Sequence, residues 1–316
     1  MTLDDIKNAI DNSKSIIIFA HEKPDGDAIG SSLAFYIVMK NLGKTVDVII
    51  PHFPDSYNFL PYSKEAKVEP SLEKYDLAVA LDCGDLKRLD DPDSTFLKAE
   101  TRINIDHHIS NGMFGDLNYV DPVSPACSQI LTAMFKYYKY EITQDIATCL
   151  ITGIITDTGG FKYDGVTSET FEIASEFLGK GVKISKIYKE ALSNISRGKF
   201  EARKLAANRV EFLENGQIAY TYMTKEDMEK LGIDQNDLDG IVENGRDVKG
   251  VELSIFLYET DKGFKGSLRS NNYINVSDLG LLFNGGGHMR AAGCTLPYPL
   301  DEAKERILSQ AKRFLK

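Results

Sequence analysis

The chain has 316 residues, with 47 acidic and 37 basic side chains, a formal net charge of -10, 42% apolar residues and 27% charged ones. These proportions exclude a disordered chain, a collagen-like fibre and a coiled coil, and the length calls for two domains. The negative balance argues against a protein that grips duplex DNA through a broad basic face, but not against a short nucleotide held in a locally positive pocket.

No apolar run approaches the ~20 residues of a membrane span. The N-terminal stretch carries Asp4 and Asp5 instead of a basic head and an apolar core, so no signal peptide is expected. Cys83, Cys127, Cys149 and Cys294 are widely spaced and read as buried free thiols of a cytoplasmic protein. Along the first half, Ser15 to Ala20 is a short β-branched run expected to form a buried parallel strand. Ile29 to Leu42 reads as a helix stopped by Gly43, Thr45 to Ile50 as a second strand, Leu77 to Leu81 as a third and Arg102 to Ile105 as a fourth. The alternation predicts an α/β domain over 1–186 with a doubly wound, mostly parallel sheet. In Asp145 to Asp157 apolar residues recur every four positions on two adjoining stripes, as in a mostly buried helix. The stretch from Phe171 to Leu205 looks helical and lysine-rich, and 187–204 is expected to link the domains. Gln217 to Met223, Val251 to Glu259 and Gly263 to Arg269 read as strands. Lys225 to Leu231, Asn236 to Glu243 and Asp301 to Phe314 read as helices. Together they give a smaller α+β domain over 205–316, with a cleft expected between the two domains.

Acids and histidines collect at four element ends of the first domain. His21-Glu22-Lys23-Pro24-Asp25-Gly26-Asp27 follows the first strand, Asp82 the third, and Asp106-His107-His108 the fourth, while Asp157 closes the buried helix. Ligands of open α/β sheets gather at the carboxyl ends of the strands, so these groups are expected to converge. Asp157 stands at the partly negative end of its helix, which disfavours a further negative charge; with no lysine or arginine close by in sequence, a metal ion is the natural partner. Asp25, Asp27, Asp82 and Asp157 bring four negative charges, more than one cleft can keep ionised unpaired, and two divalent cations would cancel them. A mixed oxygen and nitrogen donor set without thiolate fits manganese best, with magnesium, iron or cobalt as alternatives. Such ions lie about 3.5–4 Å apart and share an acid and a water. Each piece alone has a plainer reading: Asp25 and Asp27 in a turn, Asp106 as a helix cap. The combination is what points to a site, since three of the five histidines fall in the two acidic clusters.

These stretches, together with Gly285-Gly286-Gly287-His288-Met289-Arg290-Ala291-Ala292-Gly293, resemble the motifs of the DHH phosphoesterase family and of the DHH-associated domain. Length and motif order are similar to its small two-domain bacterial members, the nanoRNase or NrnA-type group. The resemblance implies that His21 and Asp25 hold one metal, that Asp27, His107 and Asp157 hold the other, and that Asp82 bridges them. It also implies that Asp106 orients a histidine and that His108 faces the substrate phosphate or leaving group. Asn111 matches a position that commonly follows the histidine pair and is counted with the substrate-binding residues. The implied activity is manganese-dependent hydrolysis of RNA of two to five nucleotides to mononucleotides, and of pAp to AMP. A homodimer is one expected assembly.

In the second domain the glycine triplet offers bare N–H groups to a phosphate. Gly286 and Gly287, flanked by His288 and Arg290, with Arg269 at a strand end as a bidentate fork, are the expected phosphate-binding set. The plainer reading is a tight turn. Four rival functions stay open: a phosphodiesterase for pApA in cyclic di-AMP turnover, a pyrophosphatase or exopolyphosphatase, a long-strand exonuclease, and a nucleotide sensor without catalysis.

Overall fold

The apolar runs of the first half assemble into one sheet in the computed structural model, in which the chain divides into two units, Met1–Asn194 and Ile195–Lys316. Residues 2–89, 91, 94–163, 165–287 and 289–316 are described. The first unit runs α1 (Leu3–Asn12), β1 (Ser15–Phe19), α2 (Gly26–Asn41), β2 (Thr45–Ile49), β3 (Ala66–Lys67), β4 (Leu77–Leu81), α3 (Thr95–Lys98) and β5 (Thr101–Asp106). It continues with β6 (Leu117–Val120), α4 (Cys127–Tyr137), α5 (Gln144–Asp157), α6 (Ser168–Gly179) and α7 (Ile184–Ile187), then a π-helical turn, Tyr188–Ser193. The strands lie in the order β3-β2-β1-β4-β5-β6, every pair parallel. The strand order reverses between β1 and β4. Such a switch point opens a crevice at the carboxyl ends of the strands, and it places the segments after β1 and β4 side by side.

Alternation along each strand splits the core in two. Ile16, Ile18, Val79, Leu81, Ile103 and Ile105 pack under α1, α2, α4, α5 and α6. The opposite face carries Ile17, Phe19, Ala78 and Ala80 under a thinner cover that includes Tyr75 and Phe96. Helix α2 is buried over nearly its whole length because α5 lies directly on it: a Cβ at Gly30 would stand 2.4 Å from the Cys149 carbonyl oxygen. The helix begins at Gly26 instead of the expected Ile29. The Asp25 carboxylate accepts from the N–H groups of Asp27 and Ala28 at 3.0 and 3.1 Å, and so caps it.

The second unit runs α8 (Arg197–Asn208), β7 (Glu211–Leu213), β8 (Ile218–Met223), α9 (Lys225–Leu231), α10 (Ile241–Arg246), β9 (Leu253–Thr260) and β10 (Gly263–Ser270). It closes with α11 (Val276–Leu281), β11 (Gly286–Gly287), β12 (Ala291–Leu296) and α12 (Leu300–Ala311). Its sheet has the order β11-β12-β10-β9-β8-β7, antiparallel except for the parallel β8–β9 pair. Two sequence expectations change here. The stretch 187–204 is divided between the units. The π turn ends the first, and Ala202 and Ala206 of α8 pack against Met223, Ile241 and Phe256 of the second. The single helix expected over 236–243 is a 3-10 turn, Gln235–Leu238, followed by α10. Gly240 breaks it with a left-handed φ of 83°.

Candidate metal centre

All the expected donors of the first unit stand at the carboxyl edge of its sheet or at a helix end beside it. His21 follows β1, and its segment is tied to the loop after β4 by a bridge to Leu89 and by the Glu22 N–H donating to the Arg88 carbonyl at 2.7 Å. Asp82 follows β4. Its backbone N–H still donates to the Ile105 carbonyl, but its φ of 54° turns the chain out of the strand, a conformation that costs a non-glycine residue roughly 1–3 kcal/mol. Asp106 ends β5 and carries His107 and His108 behind it, and Asp157 ends α5. Asp27 lies in the first turn of α2 and reaches across to the start of α4. There its two oxygens accept from the N–H groups of Cys127 (2.6 Å) and Ser128 (2.9 Å). That contact belongs to the tertiary fold, and nothing in the local sequence signals it.

The side chains meet in three groups whose donor atoms lie within 4.8 Å of one another: His21, Asp25 and Asp82; Asp27, His107 and Asp157; and Asp82, His107 and His108. Asp82 joins the sets. One of its oxygens is 3.9 Å from His21 Nε2, the other 3.4 Å from His107 Nε2. His107 Nε2 is also 3.1 Å from Asp157. Its Nδ1 is 3.2 Å from the Ser124 carbonyl oxygen, which only an Nδ1–H can satisfy, so Nε2 is turned to the acids. His108 Nδ1 pairs with Asp106 Oδ1 at 2.7 Å, which leaves its Nε2 for another partner.

The electrostatics are those of a pocket with surplus negative charge. Burial first, and the neighbouring Asp157 charge second, push the Asp27 carboxyl up to about 7. Burial and the charge of Asp27 raise Asp82 well above the usual carboxylate range. Burial opposes a charged His107, but Asp157 and Asp82 outweigh it and push the imidazole up to about 12. Burial lowers His21. Asp106 is the exception: burial works to raise it, yet the bonds from His108 and Asn111 hold it below its ordinary value. Asp82 Oδ1 and His21 Nδ1 are buried without a hydrogen-bond partner among the described residues. Fully enclosed acids that repel one another and a buried oxygen with no donor are what a cation would relieve. The oxygen and imidazole donors fit divalent ions.

The other expected site residues fall differently. Asn111 is not turned outward. Its amide donates to Asp106 Oδ2 (2.6 Å) and Asn104 Oδ1 (2.7 Å), and its own oxygen accepts from the Met113 N–H (2.6 Å), so it supports the site from behind. In the second unit, Arg269 donates to Glu243 at 2.9 Å and to the Leu268 carbonyl. Arg290 donates to the backbone carbonyls of Ile274 (3.2 Å) and Asn272, so it fastens the loop after β10. Gly286 and Gly287 pair with β12. A Cβ at Gly287 would strike the Ala291 carbonyl oxygen at 2.5 Å, whereas Gly286 opens onto free space. His288 lies outside the described residues. Sequence reasoning missed Asn104 and Tyr57. Asn104 had a signal, a polar residue inside Ile103-Asn104-Ile105. Tyr57, buried in a 3-10 turn, has its phenol raised by burial and by Asp25 and Asp157.

A parallel α/β unit whose strand ends gather histidines and aspartates into cation-sized groups, joined to an α+β unit, defines a two-domain protein built to hold divalent ions. Residues 15–154 match the DHH family, N-terminal domain, and residues 215–316 match the DHHA1 domain. The chain is 35% identical over 305 residues to a Thermus thermophilus protein, covering 95% of this chain and 90% of that one. The relative is named bifunctional oligoribonuclease and PAP phosphatase NrnA. A Bacillus subtilis protein of the same name is 26% identical, covering 96% and 95%. A Bacteroides fragilis structure, described as an exopolyphosphatase-related protein, superposes with a TM-score of 0.91 at 30% identity, covering 98% and 94%. The chain belongs to the DHH family and carries a DHHA1 domain at its C-terminal end.

Proposed function

We propose that the chain is a two-metal phosphoesterase that hydrolyses RNA of two to five nucleotides to mononucleotides, and pAp to AMP. The observation that carries this is the gathering of His21, Asp25, Asp27, Asp82, His107 and Asp157 into groups linked through Asp82 and His107, in a chain similar over nearly its whole length to proteins named for those two activities. His21 and Asp25 would hold one ion, Asp27, His107 and Asp157 the other, with Asp82 between them. Manganese suits these donors. Bound there, the two cations would polarise the phosphate and supply a water of lowered pKa.

The chain's own residues do the rest. Asp27 is locked by the start of α4, and His107 by the Ser124 carbonyl, so two donors are oriented before anything binds. Asp106 fixes the His108 ring through Nδ1. His108 Nε2 is thereby free to face the phosphate or the leaving oxygen and to hold a proton there. In the second unit, Arg269 and the open backbone at Gly286 would bind the terminal phosphate. Arg290 would shape that site from its loop.

The test is turnover by the pure protein in manganese, with pApA and pyrophosphate as further arms. Mononucleotide release from a dinucleotide and AMP from pAp are expected. A protein that cleaves pyrophosphate or polyphosphate while leaving both nucleotides intact would contradict the proposal. That outcome would favour the second reading raised by the Bacteroides fragilis description.

A further inference from the structure

Asn104 is wholly buried in the middle of β5, between Ile103 and Ile105 and beside Ala80 of β4. A buried amide in a central strand is unfavourable unless its hydrogen bonds are made. Both ends of this one are engaged, and both run to the metal centre. Nδ2 donates to the Cys83 carbonyl at 3.0 Å, in the turn that begins with Asp82. Oδ1 accepts from Asn111 Nδ2 at 2.7 Å, in the loop that begins with His107 and His108. Asn111 passes the contact on to Asp106, and Asp106 to His108. The two loops also touch directly, through the Gly112 N–H and the Gly84 carbonyl at 2.9 Å and through Asn111 Nδ2 and the Cys83 carbonyl at 3.3 Å, and Asn104 braces both from the core.

We propose that Asn104 is a positioning residue. By bonding to the Cys83 carbonyl and to Asn111, it sets the loop of Asp82 against the loop of His107 and His108, and so fixes the spacing of donors on either side of the shared acid. This rests on reading the cluster as a metal site. The Asp82 backbone is held in a left-handed conformation, so it needs such a constraint to stay where it is. Asn118, paired with Asn104 across β6, makes a comparable pair of bonds, but only to the backbone of Gly115. It is the matched control.

The experiment compares Asn104→Ala, Asn111→Ala and Asn118→Ala with the wild type. The metal-free protein is followed by hydrogen exchange and thermal melting, and the loaded protein by Mn2+ titration and dinucleotide kinetics. Asn104→Ala and Asn111→Ala should lose protection over 82–85 and 107–113. They should weaken Mn2+ binding and lower kcat roughly 10–100-fold, with KM within about twofold. Asn118→Ala should change melting alone. Wild-type Mn2+ affinity and kcat in the folded Asn104 and Asn111 variants, whatever their melting points, would overturn the proposal. So would the failure of both to fold, since the role would then be structural. A wild type that binds Mn2+ and hydrolyses neither nucleotide removes the proposed function, while the Mn2+ comparison still decides the role of Asn104.

Discussion

Asp82 belongs to two of the three donor groups. Its oxygens lie 3.9 Å from His21 and 3.4 Å from His107, and burial makes its charge unfavourable in the absence of a cation. Function and stability should therefore pull apart in Asp82→Asn, which keeps the shape and removes the charge. Its turnover should fall by about a hundredfold or more. In chelator, where no cation offsets the carboxylates, it should melt at or above the wild-type temperature, by about 2–4 °C for each kcal/mol of relieved repulsion. Activity assays in manganese and melts in EDTA check the two halves. That these side chains would meet was legible because they cluster at element ends, where the topology of a parallel sheet brings distant segments together. The roles of Asn111 and Arg290 were not. A polar side chain near a motif gives no sign of whether it faces outward or reaches a backbone carbonyl, and here both reach inward.

Packing between helices helps fix where the candidate donor Asp27 stands. Helices α2 and α4 approach α5 so closely at Gly153 that a Cβ there would sit 2.2 Å from Ser128 Oγ of α4 and 2.4 Å from Asp27 Oδ1 of α2. Gly153→Ala must therefore displace the carboxylate that is bonded to the start of α4. We expect a loss of roughly 1–3 kcal/mol from overpacking, read as a lower melting temperature, together with weaker Mn2+ binding. Unchanged Mn2+ affinity would show that Asp27 does not need its seat on α4. The apolar strands and the buried period of α5 were readable from the sequence because burial on both sides leaves an uninterrupted apolar signal. The start of α2 was read late because its cap is also a candidate ligand, and the helix expected over 236–243 is broken by a glycine whose left-handed backbone only the fold reveals.

Among the described residues each unit packs its buried apolar side chains within itself, in two clusters apiece, and no helix is long and apolar enough to cross a membrane. The second unit carries its own acid-sensitive joint. Asp227, mostly buried, receives both guanidinium arms of Arg209, and this pairing lowers its carboxyl to about 2. A carboxyl depressed on folding contributes stability above its unfolded pKa of about 3.9 and loses it as pH falls through the folded value. The advantage of the wild type over Asp227→Asn in urea unfolding should therefore be full near pH 6 and shrink between about pH 4 and pH 2. A constant difference across that range would contradict the assignment. Two domains and their fold classes were predictable from length and from the change in pattern, while the boundary at Asn194 was not, because α8 looks like a solvated lysine-rich helix until its alanines are seen in the second core.

Calorimetric titration of the metal-free protein with Mn2+ puts the metal centre itself to the test. Two ions bound per chain, with both affinities reduced in Asp82→Asn, is the result expected if Asp82 stands between the two proposed ions. No binding, or a single ion whose affinity is indifferent to Asp82, would contradict it.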